Sequence, residues 1–136
     1  MDGSEHSINA LEKAIQIANK FEGRITVLHA YTPHLVLLPK EYVLTETTPE
    51  MVEVSVEAGA NILADAKAKV ETEGVQVETL LTMGQPVETI VEASKNGKFD
   101  LIVIGARGLS PVKEILLGSV SHGVTTHARC PVLVVK

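Results

Sequence analysis

What most constrains this chain is a change of hydrophobic period that repeats from one end to the other. Stretches with apolar residues three and four apart, the stripe of an amphipathic helix, alternate with short runs rich in Val, Ile and Leu. Two runs, DLIVIG at 100 to 105 and PVLVVK at 131 to 136, leave no face for water. That is the pattern of parallel strands covered by helices on both sides. RITVLHAY, Arg24 to Tyr31, is β-branched, bounded by Gly23 and the Thr32-Pro33 pair, and reads as a buried strand. Val75 to Thr82 alternates well enough for a fourth.

The helical stretches lie between these runs. Ile8, Leu11, Ile15 and Ala18 form one stripe, with Ser4 placed to cap the helix and Gly23 to end it. Pro49 suits the first turn of a second helix that stops at Gly74 and carries Val52, Val56, Ala60, Leu63 and Val70 on one face. Gly84 and Pro86 introduce a short helix with Val87, Ile90 and Val91, closed by Gly97, and Gly118 to Ala128 forms the last. Residues 32 to 48 hold Pro33, Pro39 and an apolar patch from Leu35 to Leu38 without a period, so they read as a long loop, functional or mobile. The alternation implies right-handed crossovers and an α/β fold with a doubly wound parallel sheet, whose ligands sit at the carboxyl ends of the strands. One thing is out of place: the chain opens on a helix, and a strand is expected before Asp2.

Composition narrows the function. A chain of 136 residues buries about two-thirds of its unfolded surface, enough for one domain without staples. Cys130 is the only cysteine, which excludes an internal disulfide and suits a reducing, cytoplasmic setting. No apolar span is long enough for a membrane helix, and MDGSEHS has none of the regions of a signal peptide. With two Tyr, two Phe, no Trp and a net charge of -5, the chain has neither stacking platforms nor a basic stripe for nucleic acid. The acidity lies in residues 1 to 68, with ten acidic and five basic side chains. From Leu101 onward Arg107, Lys113, Arg129 and Lys136 face only Glu114, so an anion site belongs in that region.

That region contains GARGLSPVKEILLGSVS, where two residues separate Gly105 from Gly108 and nine separate Gly108 from Gly118. Gly105 ends a strand, and Gly118 with Ser119 opens a helix whose free N–H groups and dipole favour an anion. The hydroxyls of Ser119 and Ser121 add donors, while Arg107 and Lys113 add charge. The plainer alternative is that these glycines only make tight turns and a helix start.

The spacing G-x2-G-x9-G-S, with DGSEHS near the start, TVLHAY in the second strand and PVLVVK at the end, resembles the universal stress protein family, and the glycines resemble its ATP-binding branch. The resemblance spans the whole chain as one domain. It implies a Rossmann-like fold of the adenine nucleotide alpha hydrolase kind, strand order 3-2-1-4-5, with the central first strand missing before Asp2 or supplied by another chain. It implies ATP with Mg lying across the strand ends. Phosphates fall to Gly108, Gly118, Ser119, Val120 and Ser121, ribose lies near Gly105 and Arg107, and Asp2 and the Ala30 backbone lie beside adenine. It also points to a homodimer through the apolar C-terminal strand.

Other chemistry finds no support. There is no P-loop lysine after Gly118, no GxGxxG, no SGGxD, and no ligand spacing among His6, His29, His34, His122 and His127. Cys130 precedes a strand as a small core residue would. The leading expectation is a cytoplasmic ATP-binding regulator of the stress response with slow or absent turnover, since no acid is placed to orient water. The alternatives are a nucleotide-free dimeric interaction module of the same fold and a slow ATP-hydrolysing enzyme. The loop at 32 to 48 leaves the sheet beside Ala30, where it either closes over bound nucleotide or forms a static cover.

Overall fold

A computed structural model describes residues 1–32, 49–109 and 117–136. The expected loop beyond Thr32 and the stretch containing Lys113 lie outside these residues. Helix α1 (Glu5–Phe21) starts where Ser4 accepts a hydrogen bond from the Ser7 amide, as its position before the stripe requires. It buries Ala10, Leu11, Ile15 and Ala18. Ile8 is a correction: it is 41% exposed, because the inward face runs through Ser7 and Leu11, and Ile8 lies about 100° round from Ser7. The end is also shifted. Glu22, with φ 52, takes the left-handed cap that the sequence offers to Gly23 one residue later.

Strand β1 (Arg24–Tyr31) follows, then helix α2 (Pro49–Thr72) and strand β2 (Gln76–Met83). β1 and β2 pair in parallel from Arg24 opposite Gln76 to Tyr31 opposite Met83. Helix α3 (Pro86–Asn96) leads to strand β3 (Ile102–Gly105), and helix α4 (Ser119–His127) leads to strand β4 (Val132–Val135). β3 and β4 are parallel, with Ile102 opposite Val132 and Gly105 opposite Val135. The α/β class with parallel strands and crossover helices is therefore present. The strands form two pairs, and no described strand joins β1 to β3.

Leu11, Ile15 and Ala18 of α1, Val27 of β1, Leu63, Ala66 and Val70 of α2, and Val75 make one core cluster. Here too the stripe is rotated from its expected face. Ala60 is exposed and Gly59 is buried. A Cβ on Gly59 would lie 2.7 Å from both His29 and Leu81, so the absent side chain is what lets α2 close on the sheet. The strands are less buried than their apolar runs imply. In β1 only Val27 is buried, and every residue of β3 and β4 is half-buried. Among the described residues each of these strands pairs with a single neighbour. Helix α1 packs on both pairs, and Met1 lies along β1, its amino group donating to the Leu28 carbonyl and its carbonyl 2.6 Å from His29 Nδ1. No described helix is long and apolar enough to cross a membrane.

Candidate functional site

Three short pieces of chain converge at the carboxyl end of β3. The first is the turn before α1. Asp2 Oδ1 accepts hydrogen bonds from the Ser4 amide at 3.0 Å and the Ser4 hydroxyl at 2.6 Å. Gly3, at φ 79, gives the chain the left-handed step this turn needs. Burial works to raise the Asp2 pKa, but hydrogen bonds from Ser4 and Ser7 and the charge of the Met1 amino group outweigh it. The carboxyl is held below its ordinary value and stays ionised. Burial pushes the Met1 amine below its ordinary value, with Asp2 pulling the other way.

The second piece is Ala106 to Gly108. Ala106 is buried, and its amide continues the β3–β4 ladder by donating to Val135 at 2.6 Å. A Cβ on Gly108 would stand 2.6 Å from Asp2 Oδ2, so the carboxylate rests directly against this glycine. Arg107 lies between them in sequence and is half-buried.

The third piece is the start of α4. The Gly118 amide donates to the Ala106 carbonyl at 2.7 Å, and the Ser121 hydroxyl donates toward the same carbonyl at 2.8 Å. Gly118 is the N-cap residue and provides no side-chain cap. Among the described residues nothing caps the first-turn amides of Ser119, Val120 and Ser121, which makes them available to an external acceptor. Ser119 is exposed, Val120 half-buried and Ser121 buried.

This geometry refines several sequence assignments. The Ser121 hydroxyl points inward to Ala106, so Ser121 has its amide, not its hydroxyl, to offer a ligand. The Gly118 amide is likewise occupied, and Gly118 contributes by having no side chain. Gly105 serves packing: a Cβ there would lie 2.7 Å from the His6 carbonyl carbon and oxygen. The fold thus brings Asp2 to Gly108, and Gly118 and Ser121 to Ala106. Ala30 stands at the end of the other strand pair, opposite Thr82 and one residue beyond His29, which touches Met1. Sequence reasoning does not single out Ala106 or Ser4 as site residues. Ala106 acts through its carbonyl, which no side-chain pattern reveals, whereas Ser4 two residues after Asp2 is a readable turn signal.

Chemically the cradle is bipolar. One end presents a fixed, ionised acceptor at Asp2, and the other presents uncapped amides and the positive end of a helix dipole. Such a pair suits a ligand with hydrogen-bond donors at one end and an anion at the other. Among the described residues no three His, Cys, Asp or Glu side chains cluster as a metal site. A groove of about 370 Å³ between β2 and α3, lined in part by Leu80, Met83, Glu88 and Glu92, contains none of the motif residues.

The profile of the universal stress protein family matches residues 1–136. Universal stress protein YxiE of Bacillus subtilis is 36% identical over 140 residues, covering 100% of this chain and 95% of that protein. The solved structure of protein MJ0577, from Methanocaldococcus jannaschii, superposes with a TM-score of 0.84 at 29% identity, covering 100% of this chain and 91% of that one. A universal stress protein solved in complex with cAMP gives a TM-score of 0.71 at 29% identity, covering 99% of this chain and 91% of its own.

Proposed function

The chain belongs to the universal stress protein family, and on that premise we propose that it binds ATP as a regulatory ligand in the cytoplasmic stress response. The observation that carries the reading is the bipolar cradle, with Asp2 against Gly108 at one side and the uncapped start of α4 at the other. Solved relatives holding cAMP and AMP support an adenine nucleotide as the ligand class. In this reading adenine lies beside Asp2 and the Ala30 backbone, and ribose near Gly105 and Arg107. The phosphates reach Gly108 and the amides of Ser119, Val120 and Ser121, with Gly118 keeping the approach open. Hydrogen bonds to a charged phosphate contribute about 1.5 to 3 kcal/mol each, so three aligned amides would supply most of the affinity. Magnesium is assigned to the phosphates of the nucleotide and not to protein ligands.

The reading is regulatory because Asp2 is engaged by Ser4 and held as a rim acceptor, a poor position from which to activate water. At most weak hydrolysis is expected. A homodimer through β4 fits the same scheme, since among the described residues β4 pairs with β3 alone.

Titration calorimetry with Mg-ATP tests the proposal. Gly118→Val places a branched side chain at the helix start, where even a Cβ meets Ala106 and Arg107 at 3.4 Å. The expected result is a loss of affinity of about tenfold or more in a variant whose circular dichroism is unchanged. An unaltered affinity in folded Gly118→Val removes the phosphate assignment.

A further inference from the structure

Of the five buried hydroxyl side chains among the described residues, four are engaged: Ser4 with Asp2, Ser7 with the Ser4 carbonyl, Ser94 with the Val91 carbonyl and Ser121 with the Ala106 carbonyl. The fifth is Thr89 of α3, 9% exposed, whose hydroxyl has no partner among the described residues. Thr89 lines the groove of about 370 Å³ between β2 and α3, beside Gly84, where a Cβ would stand 2.7 Å from Thr89 Oγ1. A buried hydroxyl without a partner is costly, and a ligand that supplies one recovers that cost. The turn of the helix sets the rest. At about 100° per residue, Glu88 and Glu92 lie about 40° apart, with Thr89 and Ala93 further round the same face. Both acids are exposed and form the rim, while Thr89 is buried and Ala93 half-buried beneath them. From β2 the groove receives Leu80 and Met83, 38% and 62% exposed. Glu88 has an ordinary reason to be there, since it sits in the first turn of α3 at the positive end of the helix. Glu92 does not: one turn later it repels Glu88. The ion pairs among the described residues are Lys67 with Glu71 and Lys69 with Glu12, so neither acid of the rim has a cation.

We infer that this groove binds an aliphatic polyamine, with ammonium groups on Glu88 and Glu92, an amine N–H donating to Thr89 Oγ1 and the methylenes laid on Leu80 and Met83. The inference does not rest on the nucleotide reading, and the groove contains none of that site's residues. Size agrees, since the volume lies within the range of small-ligand pockets. Spacing agrees as well. Carboxylates one helical turn apart spring from Cβ atoms about 5 to 6 Å from each other, which asks for two separated positive charges instead of one. The apolar wall decides the kind of cation. A magnesium or calcium ion wants oxygen ligands all round, whereas a polyamine brings its own carbon chain to meet Leu80 and Met83. Burying those methylenes and pairing the Thr89 hydroxyl give the groove a preference that charge alone does not.

The test is a calorimetric titration of spermidine into the intact 136-residue chain at low salt and without nucleotide. Saturable one-to-one binding is expected. Glu88→Gln combined with Glu92→Gln should weaken it about tenfold or more, and Thr89→Val, which keeps the shape and loses the hydroxyl, about threefold or more. Circular dichroism confirms that each variant is folded. Because the net charge of -5 attracts any polycation, a control removes the same charge elsewhere. Glu53→Gln with Glu57→Gln takes an exposed pair of the same spacing from α2, and is expected to leave spermidine binding unchanged. No saturable binding, an equal loss in the α2 control, or full affinity in either groove variant overturns the inference. Magnesium chloride is the competitor. Displacement of spermidine by an equal concentration of Mg2+ would reduce the groove to a patch of negative charge, and the inference falls.

Discussion

Adding one methyl group at Gly105 measures how closely the first helix is seated on the sheet. A Cβ there would stand 2.7 Å from the carbonyl carbon and oxygen of His6 and 2.9 Å from its Cβ. Ordinary non-bonded contact is about 3.5 to 4.0 Å, so the shortfall is about 0.8 Å or more. The added Cβ has no torsion of its own and the atoms it meets most closely are backbone, so no rotamer change relieves the contact. The first turn of α1 must lift from β3, loosening buried Ala10 and Leu11 and displacing the Asp2 to Ser4 turn. Overpacking of this kind costs about 1 to 3 kcal/mol. At about 2.1 cal/mol/K per residue, unfolding 136 residues carries about 0.29 kcal/mol/K, so a loss near 2 kcal/mol lowers Tm by about 7 °C. The control is Gly74→Ala. There φ is +75 and nothing lies within 4 Å, so backbone strain of about 1 kcal/mol is the whole effect. Calorimetric melts of both variants, followed by ATP titration, separate the two costs. Gly105→Ala should lose both stability and affinity, and Gly74→Ala stability alone. A Gly105→Ala protein melting within about 1 °C of the parent would refute the close seating of α1.

Other outcomes follow from the same geometry. Glu22→Gly removes the left-handed strain at φ 52 and should raise the urea midpoint by the equivalent of about 0.5 kcal/mol; a fall in the midpoint contradicts the cap assignment. Because the Asp2 pKa is lower in the folded state, its contribution is complete above the unfolded carboxylate pKa and disappears as pH falls through the folded value. Asp2→Asn should therefore flatten the acid limb of stability below about pH 4, and an unchanged acid limb would show that Ser4 does not hold the carboxylate. Light scattering at micromolar concentration should give twice the 14.6 kDa chain mass, and a monomer would exclude pairing through β4.

Where local chemistry dictates structure, the sequence is readable. The run at 24 to 31 is strand β1 to the residue, Pro49 opens α2, and the last helix and strand lie within a residue or so of their expected limits. Errors arise where the partner is distant in sequence. Ile8 and Ala60 satisfy a helical period but sit at its margin, and only packing on the sheet selects Leu11 and Gly59 instead. Gly59 has no role visible in the sequence because its reason is the His29 ring, thirty residues away. The same holds for Gly123, whose missing Cβ admits Val87 of α3. In the motif, the spaced glycines Gly108 and Gly118 lie on stretches that meet at Asp2 and Ala106, but spacing does not give the division of labour within them. That Gly105 seats a helix and that the Ser121 hydroxyl is already engaged depend on His6 and on the Ala106 carbonyl.

The Ala106 carbonyl, accepting from the Gly118 amide and the Ser121 hydroxyl, acts as a clasp between the end of β3 and the start of α4. One main-chain acceptor thus fixes a main-chain donor and a side-chain donor at once, so the helix start takes its position from the strand, and its first-turn amides inherit the rigidity of the β3–β4 ladder that Ala106 continues.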